Sequence, residues 1–496
     1  MKEISIRRNF IMNAFLSVSG LIFPLITYPY ILRVLLPAGV GKVSIATSVV
    51  AYFSVVAQMG IPTYGVRACA KARNDRRELT RTVHELLGIN LVTDGVSYCL
   101  LILALLFVPR LQEERLLYLI VSSTIFLTSI GMEWLYMGLE QYTYITIRSI
   151  VFKLIALIAM FLLVKNEKDY VIYGGISIFA ASASNLVNLI HARKFVDFLR
   201  PGDCDWKKHL KPVGIFLAIS CATTVYTNLD VTMLGFMKTE EDTGFYTAAV
   251  KTKGLLTAVV TSLGAVLLPR SSHYVHYGKQ DDFQRMTGKA LHFVFLATIS
   301  LLCYFEIFAR EGILFLSGPS YEESVLPMRV IMPTLVLIGL TNIMGIQILI
   351  PTNREKTLLL SVSLGAAVDL LLNAILIPPL ASTGAAVGTL AAETVVLAVQ
   401  YRALRDELRQ TLREIPMAPI ITGAVLGSIA SFWVLFLNMS EFLKLMLSAV
   451  LFFGTDFLYL LRRKESLALE AVELIKRWIR KCCVNRHHHP DGRSAQ

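Results

Sequence analysis

The sequence predicts an all-α integral membrane protein with about fourteen transmembrane helices. Its composition is apolar, with 55% hydrophobic residues, 17% charged residues and a mean hydropathy of +0.59. Typical soluble domains contain about 25% charged residues, so this chain cannot cover an aqueous surface. Apolar runs of about 20 residues, the length that crosses a bilayer core as a helix, recur along the whole chain. Lysines and arginines collect in alternate gaps between these runs.

The predicted spans form two series of seven. The first series lies at 10–36, 40–66, 84–108, 116–138, 142–164, 170–192 and 210–236. The second series lies at 244–268, 290–308, 325–350, 357–377, 383–401, 417–437 and 441–461. The first span follows two arginines, as a signal peptide would, but it is too long and lacks a small-residue cleavage site, so we expect it in the mature chain. Pro24 and Pro29 predict a bend in that helix.

The orientation follows from the positive charges. The gaps on the side of the N-terminus contain 34 lysines and arginines, whereas the opposite gaps contain 9. Because cytoplasmic loops are rich in Lys and Arg, both termini are expected in the cytoplasm. This asymmetry also explains the formal net charge of +12 without a nucleic-acid partner.

Similar offsets between the two halves predict an internal repeat. Gly41 and Gly244 stand in comparable turns 203 residues apart, and two Glu-Glu pairs, at 113–114 and 322–323, are 209 apart. The sequence therefore predicts two six-helix lobes related by an axis along the membrane normal, with a cleft between them. The predicted domains are the lobes 1–195 and 205–403, and then a pair of additional helices at 416–461.

The C-terminal segment is predicted to lie outside the bilayer. Residues 465–483 place apolar side chains largely on one helical face and Lys and Arg on the other, which is typical of an amphipathic interfacial helix on the cytoplasmic side. Residues 484–496 are expected to be disordered. The run His487 to His489 is either a metal-binding segment or part of this polar tail, and we predict no metal site.

Charged residues within the first-half spans are candidates for function. A charge deep in a helix costs about 2.5–3.5 kcal/mol on insertion scales, so it is expected to face protein or water. Arg148 and Lys153 lie in the fifth span, and Asp94 and Glu133 lie in the third and fourth. These four residues form either two structural ion pairs or a basic cavity wall. Arg148 and Lys153 point about 140° apart on their helix, which argues against one shared carboxylate.

The second half carries a comparable set. Lys251 and Lys253 point about 200° apart on one helix, so at most one of them faces a given cavity well. Asp230 either forms a plain salt bridge with Lys251 or serves ion coupling. Asp369 and Glu393 lie near the centres of their spans and either couple transport to a proton or cation or make hydrogen bonds between helices. We predict substrate binding by the basic residues Arg148, Lys153, Lys251 and Lys253, and ion coupling by Asp369, Glu393 and Asp230.

The sequence argues against an enzyme and predicts no catalytic residue and no cofactor. It contains no G-x-x-x-x-G-K-[ST] loop, no G-x-S-x-G elbow and no H-E-x-x-H pair. The outer gaps have at most about 17 residues, as at 308–325, whereas a membrane polysaccharide polymerase typically needs a large outer loop. Transport would therefore draw on an ion gradient, the membrane potential or the gradient of the substrate.

The sequence resembles the bacterial polysaccharide-repeat flippases, the O-antigen and capsule exporters of the multidrug/oligosaccharidyl-lipid/polysaccharide flippase superfamily. The resemblance rests on the order and spacing of four stretches, 27–67, 134–153, 230–253 and 353–393, and covers about 1–405. Asp369 departs from the family pattern, in which Asn is more usual at this position.

The resemblance implies a MATE-like fold of two six-helix lobes plus two peripheral helices, in the bacterial inner membrane. It also implies movement of an oligosaccharide repeat unit carried on undecaprenyl diphosphate to the outer leaflet, for O-antigen, capsule or exopolysaccharide synthesis. The partners implied are this lipid-linked oligosaccharide, a proton or sodium counter-ion and polysaccharide assembly proteins. The alternatives are a peptidoglycan-precursor flippase or a drug/cation antiporter of the same superfamily and, from another class, a membrane polysaccharide polymerase.

Overall fold

The computed structural model describes residues 6–198, 205–473 and 476–477, and every regular element within them is helical. The first nine α-helices are α1 Ile6–Gln58, α2 Ile61–Ala72, α3 Arg76–Phe107, α4 Pro109–Gln112, α5 Arg115–Gly131, α6 Glu133–Gly138, α7 Tyr142–Leu163, α8 Tyr170–Ile178 and α9 Ser184–Ala192. The next nine are α10 Lys207–Met237, α11 Glu240–His276, α12 Gln280–Ile307, α13 Ala309–Ser317, α14 Val325–Ile331, α15 Thr334–Asn342, α16 Glu355–Glu414, α17 Met417–Phe432 and α18 Glu441–Arg462. This confirms the all-α class.

Two of these helices are long rods with a break inside. In α1 the backbone leaves helical geometry at Leu36, with φ of 58°, immediately before Pro37. In α16 it does so at Ala381, with φ of 47°, after Pro378 and Pro379. Proline removes a backbone donor and clashes with the preceding turn, which explains why both breaks occur there. Each break falls between two predicted spans.

Many of the helices suit a bilayer. Within the described residues ten helices are long and apolar enough to cross a membrane, or eleven if the pair Pro319–Ile331 and Thr334–Leu349, bent by 49°, forms one span. Only structures that satisfy their own backbone hydrogen bonds can span lipid, and these helices do so. The multi-pass membrane architecture is therefore confirmed, while the number fourteen stays a prediction.

The chain forms two compact units. Unit 1 contains Met1–Ala258, Ile313–Thr334 and Arg354–Gln400, and unit 2 contains Val259–Gly312, Leu335–Asn353 and Tyr401–Gln496. The predicted lobes 1–195 and 205–403 describe a repeat in the sequence and stay a prediction. The predicted additional pair corresponds to α17 and α18, which lie in unit 2.

Within unit 1 the second part of α1 runs along α10. The Ser48 hydroxyl donates a 2.8 Å hydrogen bond to the Asn228 carbonyl and lies 2.6 Å from the Thr232 hydroxyl. Gly235 of α10 has no side chain, which allows Ile45 of α1 to pack directly against it. Small residues and hydroxyl pairs of this kind hold transmembrane helices together, because lipid supplies no hydrophobic drive for their association.

Within unit 2, α17 and α18 form a hairpin. Gly423 and Gly427 of α17 are spaced four residues apart and pack against Asp456 and Phe452 of α18. A helix at 466–473 follows this hairpin and is called the tail helix below. It lies within the predicted amphipathic segment 465–483, of which residues 465–473 and 476–477 are described. The predicted disordered tail and the three histidines lie outside the described residues.

The predicted orientation can be tested with reporter fusions. Asn74 lies between α2 and α3, Lys207 begins α10, and Asp242 lies in the first turn of α11. The Lys and Arg partition predicts that fusions at Asn74 and Lys207 report the cytoplasm and that a fusion at Asp242 reports the periplasm. Paired alkaline phosphatase and fluorescent protein fusions at each site measure this, and the opposite pattern would overturn the topology.

Candidate functional site

Arg148 of α7 is held inside the first half of unit 1. Its Nη1 donates to the Ser184 carbonyl at 3.1 Å and to Asn185 Oδ1 at 3.3 Å, and its Nη2 lies 3.6 Å from Glu133 Oε1. Its guanidinium also stands 6.0 Å from the centre of the Tyr144 ring. Arg148 is buried, whereas the Glu133 side chain is 41% exposed. One guanidinium nitrogen, Nε, has no hydrogen-bond partner within the described part of the chain.

The other two candidates of this half have separate surroundings. The Lys153 ammonium donates to the Ser19 hydroxyl of α1 at 3.2 Å and has no carboxylate oxygen within 4.0 Å among the described residues. Asp94 of α3 is buried and accepts a 2.8 Å hydrogen bond from Ser129. Arg148 and Lys153 therefore do not share a carboxylate, as their angular separation predicts.

The second-half candidates meet around Asp230 of α10. One carboxylate oxygen, Oδ1, accepts a 2.6 Å hydrogen bond from the Asn373 amide. The other, Oδ2, accepts from the Thr389 hydroxyl at 2.8 Å and from the Tyr246 hydroxyl. The donors come from α11 and from both parts of α16, so a single carboxylate ties three helices together. We call Asp230, Tyr246, Asn373, Thr389 and the neighbours Asp369 and Glu393 the carboxylate cluster.

Asp369 and Glu393 complete this cluster from α16. Asp369 is 2% exposed, receives a 3.2 Å hydrogen bond from the Asn373 amide and interacts directly with the Asp230 carboxyl group. Glu393 is 7% exposed and lies beside the Tyr226 hydroxyl. A methyl group at Gly388 would overlap Asn373 Oδ1 and lie 3.1 Å from Asp369 Oδ1, so only glycine permits the close approach of the Asn373 side chain.

The two lysines of α11 have different environments. Lys253 is 8% exposed, and the charges of Glu393 and Asp230 act on its ammonium. Lys251 is exposed, and its ammonium stands 5.5 Å from the centre of the Tyr28 ring of α1. Neither lysine has a carboxylate oxygen within 4.0 Å in the described ranges, so Lys251 does not form the salt bridge with Asp230 considered above.

The carboxylate cluster has the groups needed to bind a proton or a small cation. The cluster contains three acidic side chains, and one buried lysine, Lys253, lies near two of them, Glu393 and Asp230, so the cluster carries an excess of negative charge when all of them are ionised. A buried charge must be paired or neutralised, and either a proton or a small cation would do this. Carboxylate, amide and hydroxyl oxygens are ligands that hard cations prefer. No group of three or more His, Cys, Asp or Glu side chains in the described ranges is arranged as a conventional metal site.

Sequence reasoning missed Tyr246, Asn373 and Thr389. These uncharged residues are common in apolar helices and attract no attention alone. The signal that points to them is spacing: Asp369 and Asn373, like Thr389 and Glu393, are four residues apart and share one helical face.

A second feature of unit 1 is a contact between two turns at the helix ends opposite the basic loops. A methyl group at Gly41 would overlap the Glu240 carbonyl and lie 3.1 Å from the Gly244 nitrogen. A methyl group at Gly244 would overlap the backbone of Pro37. The two glycines that mark the predicted repeat therefore stand against each other. The Lys and Arg partition predicts that these turns lie on the outer side, so we call the contact of residues 37–41 with residues 235–244 the outer closure.

Charged groups support the outer closure. Arg110 at the start of α4 places Nη2 2.7 Å from Glu240 Oε1 and donates from Nε to the Gly235 carbonyl at 3.1 Å. Next to it, the Lys42 ammonium lies 2.6 Å from Glu114 Oε1. These pairs are partly exposed, so each contributes modestly, and they link the two turns separately to the segment 110–114.

Comparison with known sequences identifies related proteins. A profile of the family described as "Polysaccharide biosynthesis protein" matches residues 6–275. A protein of Escherichia coli K12 named "Putative O-antigen transporter" is 23% identical over 420 residues, which cover 82% of this chain and 98% of that protein. A protein of Shigella dysenteriae with the same name is 23% identical over 416 residues, which cover 80% of this chain and all of that protein.

Two solved structures share the fold. The lipid II flippase MurJ in an inward closed conformation aligns with a TM-score of 0.57 at 13% identity, covering 84% of this chain and 97% of MurJ. An inward-facing multidrug resistance MATE family transporter of the MOP superfamily aligns with a TM-score of 0.58 at 12% identity, with the same coverage. The predicted MATE-like fold class is confirmed by these similarities.

Proposed function

The chain belongs to the polysaccharide biosynthesis protein family, and from this membership we propose that it is a flippase for oligosaccharide repeat units linked to undecaprenyl diphosphate. It would act in the bacterial inner membrane, with both termini in the cytoplasm, and would supply the proteins that assemble the polysaccharide. The relatives from two organisms carry the name of O-antigen transporters, which supports this substrate class and agrees with the expectation that the protein is not an enzyme.

The observation that carries the proposal is the placement of charge on α11. Lys251 is exposed at a depth where a free charge is costly, and it faces an aromatic ring rather than a carboxylate. An ammonium in such a position is available to an anionic ligand, because no internal partner has to be displaced. A diphosphate carries the negative charge that would pair with this lysine. Lys153 would add a second ammonium in the first half, and Arg148 would contribute positive charge from its buried position.

The carboxylate cluster is the proposed site of ion coupling. With no nucleotide-binding loop in the sequence, energy would come from an ion gradient. Binding of a proton or a sodium ion to Asp230, Asp369 and Glu393 would neutralise buried charge, and release would restore it. The Asn373 and Thr389 oxygens add neutral ligands for a sodium ion.

Helix α11 would transmit the state of this cluster to the substrate. Lys253 responds to the charge on Glu393 and Asp230, while Lys251 two residues away points to the other side of the same helix. A change in the charge of the cluster alters the electrostatic environment of Lys253 and therefore favours a different position of α11. Lys251 moves with the helix, which links ion binding to the affinity for the anionic substrate.

The outer closure would be the gate that alternating access requires. Its two turns come from the two predicted lobes, and the contact depends on glycines that allow backbone to touch backbone. Separation of the turns would open a path on the outer side, and their contact would close it.

The alternatives make different demands. A drug or cation antiporter is expected to expose carboxylates to its substrate, whereas Asp369 and Glu393 are buried here and Lys251 is exposed. A peptidoglycan-precursor flippase also carries a lipid diphosphate, so the charge of the site does not distinguish it from the proposed function. The names of the sequence relatives favour the polysaccharide unit. A polymerase lacks support, because the predicted outer gap at 308–325 is occupied largely by the short helix α13.

The role of Lys251 gives a direct test. Replacement by methionine keeps most of the length of the side chain and removes its charge. We expect polysaccharide export to fall at least about tenfold because one charge-assisted contact to the diphosphate is lost. Lys251→Arg should retain most of the export. The measurement is surface polysaccharide in a flippase-deficient strain, with the amount of protein in the membrane determined in parallel.

Three further variants and a control complete this test. Arg148→Ala and Lys153→Ala are expected to reduce export. Arg148→Lys should also be poor, since one ammonium nitrogen cannot donate to Ser184 and Asn185, as Nη1 does, and also take the place of Nη2 beside Glu133. Thr422→Ala, on the lipid-exposed side of α17, is the control and should leave export unchanged. Full export by all the single variants would reject the basic substrate site.

A further inference from the structure

We propose that unit 2 contains a binding site for an anionic phospholipid, in a groove formed by the end of α11, the start of α12 and the tail helix. The groove has a volume of about 670 Å³. Arg270 of α11 and Arg285 of α12 line it together with Met286, Phe293 and Leu296. This site would belong to the surrounding bilayer rather than to the transported substrate, and the inference does not depend on the proposed function.

The two arginines lack internal partners. No carboxylate oxygen lies within 4.0 Å of Arg270 or Arg285, and neither donates a hydrogen bond, among the residues that the structure describes. Lys289 differs, since its ammonium lies 3.4 Å from Glu470 of the tail helix. The acidic groups Asp282 and Glu470 also line the groove, so a ligand would have to bind the two free guanidinium groups specifically.

The depth of the arginines matches a lipid headgroup. Arg270 lies within the last two turns of α11, and Arg285 lies in the second turn of α12. These helix ends are on the side that carries most of the Lys and Arg, where basic pockets between transmembrane helices bind anionic headgroups. A guanidinium group can form two parallel bonds to a phosphate, which is the charged group of an anionic phospholipid.

The rest of the groove suits an acyl chain. Phe293 and Leu296 continue from Arg285 along α12, and Leu296 also borders a second groove of about 560 Å³ lined by Phe453 and Phe457 of α18. From Arg285 to Leu296 the helix rises about 16 Å, close to half of a bilayer core about 30 Å thick. A free phosphate would gain nothing from these apolar walls, so the occupant is a lipid and not the free ion.

The tail helix forms one wall of the groove, so the site is enclosed on that side and is not an open lipid-facing surface. Leu467 and Ala471 form one side of the groove. The Glu465 carboxylate accepts hydrogen bonds from the Leu467 and Ala468 nitrogens at 3.0 and 2.7 Å, and it lies 3.0 Å from His292 Nε2 of α12. The tail helix is therefore fixed to α12, and a bound lipid would contact both of them.

Native mass spectrometry of the purified full-length protein tests this inference. The protein is incubated with phosphatidylglycerol or with phosphatidylcholine, and the retained lipid is counted as the collision energy rises. We expect wild-type protein to retain phosphatidylglycerol in preference to phosphatidylcholine. The double variant Arg270→Ala and Arg285→Ala should lose this retention at least about tenfold, because each basic residue near the surface contributes to the attraction.

The matched control is the double variant Arg409→Ala and Arg413→Ala, which removes the same charge from the end of α16 outside the groove. It should retain the lipid as wild-type protein does. Arg270→Lys with Arg285→Lys keeps the charge and should retain an intermediate amount, which also guards against a folding defect. Equal retention by the alanine variant and the control, or full displacement of the lipid by millimolar inorganic phosphate, would overturn the proposal.

Discussion

Replacing Asp230 with asparagine is expected to abolish ion-driven export. The Asp230 carboxylate accepts hydrogen bonds from Asn373, Thr389 and Tyr246, so an amide in its place would turn an NH₂ group toward donors. The substitution also removes a charge that a proton or a sodium ion would neutralise. Breaking a buried charged network costs about 3–5 kcal/mol, which corresponds to a loss of at least about a hundredfold in a transport step that depends on it.

The measurement is transport of a lipid-linked oligosaccharide in proteoliposomes with an imposed proton or sodium gradient. Asp369→Asn and Glu393→Gln should also uncouple transport from the gradient while sparing substrate binding. Asp456→Asn is the matched control, because Asp456 is a buried carboxylate of a membrane helix in unit 2 that is bonded to Ser300, whereas the carboxylate cluster belongs to unit 1. If all three cluster variants keep the ion dependence of wild-type protein, coupling resides elsewhere.

Placing valine at Gly41 or Gly244 is expected to hold the outer closure open. The added side chain would overlap the backbone of Glu240 in the first case and of Pro37 in the second, so the two turns must separate. Overpacking of this kind costs about 1–3 kcal/mol, which shifts a two-state equilibrium by about 5- to 150-fold. A transporter that cannot close on the outer side cannot complete its cycle, and export should fall accordingly.

Accessibility in spheroplasts reports the state of the gate. Tyr28, opposite Lys251, is replaced by cysteine (Tyr28→Cys) in an otherwise cysteine-free protein. The variant is then treated with an impermeant maleimide. Labelling should be faster in the Gly41→Val and Gly244→Val variants. Gly95→Val of α3 is the control, since a methyl group there meets nothing within 4 Å. Unchanged labelling together with normal export would show that this contact is not a gate.

The sequence by itself determined the class of protein and most of its helices. Apolar runs of bilayer length leave the backbone no partner except its own helix, so their positions fix where helices form. The positions of the breaks differ from the prediction: the bend in α1 is expected at Pro24 and Pro29, whereas the backbone leaves helical geometry at Leu36, before Pro37. The break in α16 follows Pro378 and Pro379, for which no bend is predicted from the sequence. The family resemblance also came from linear stretches of sequence.

Only the tertiary structure decided which charges meet. The angle of about 200° between Lys251 and Lys253 shows that they face different surroundings, but not which of them is buried with Glu393. The hydrogen bonds of Asn373 and Thr389 to Asp230 depend on the rotation of the helices about their axes. A helix that is apolar on every side has no polar face to reveal that rotation, and in lipid it is set by packing between neighbouring helices.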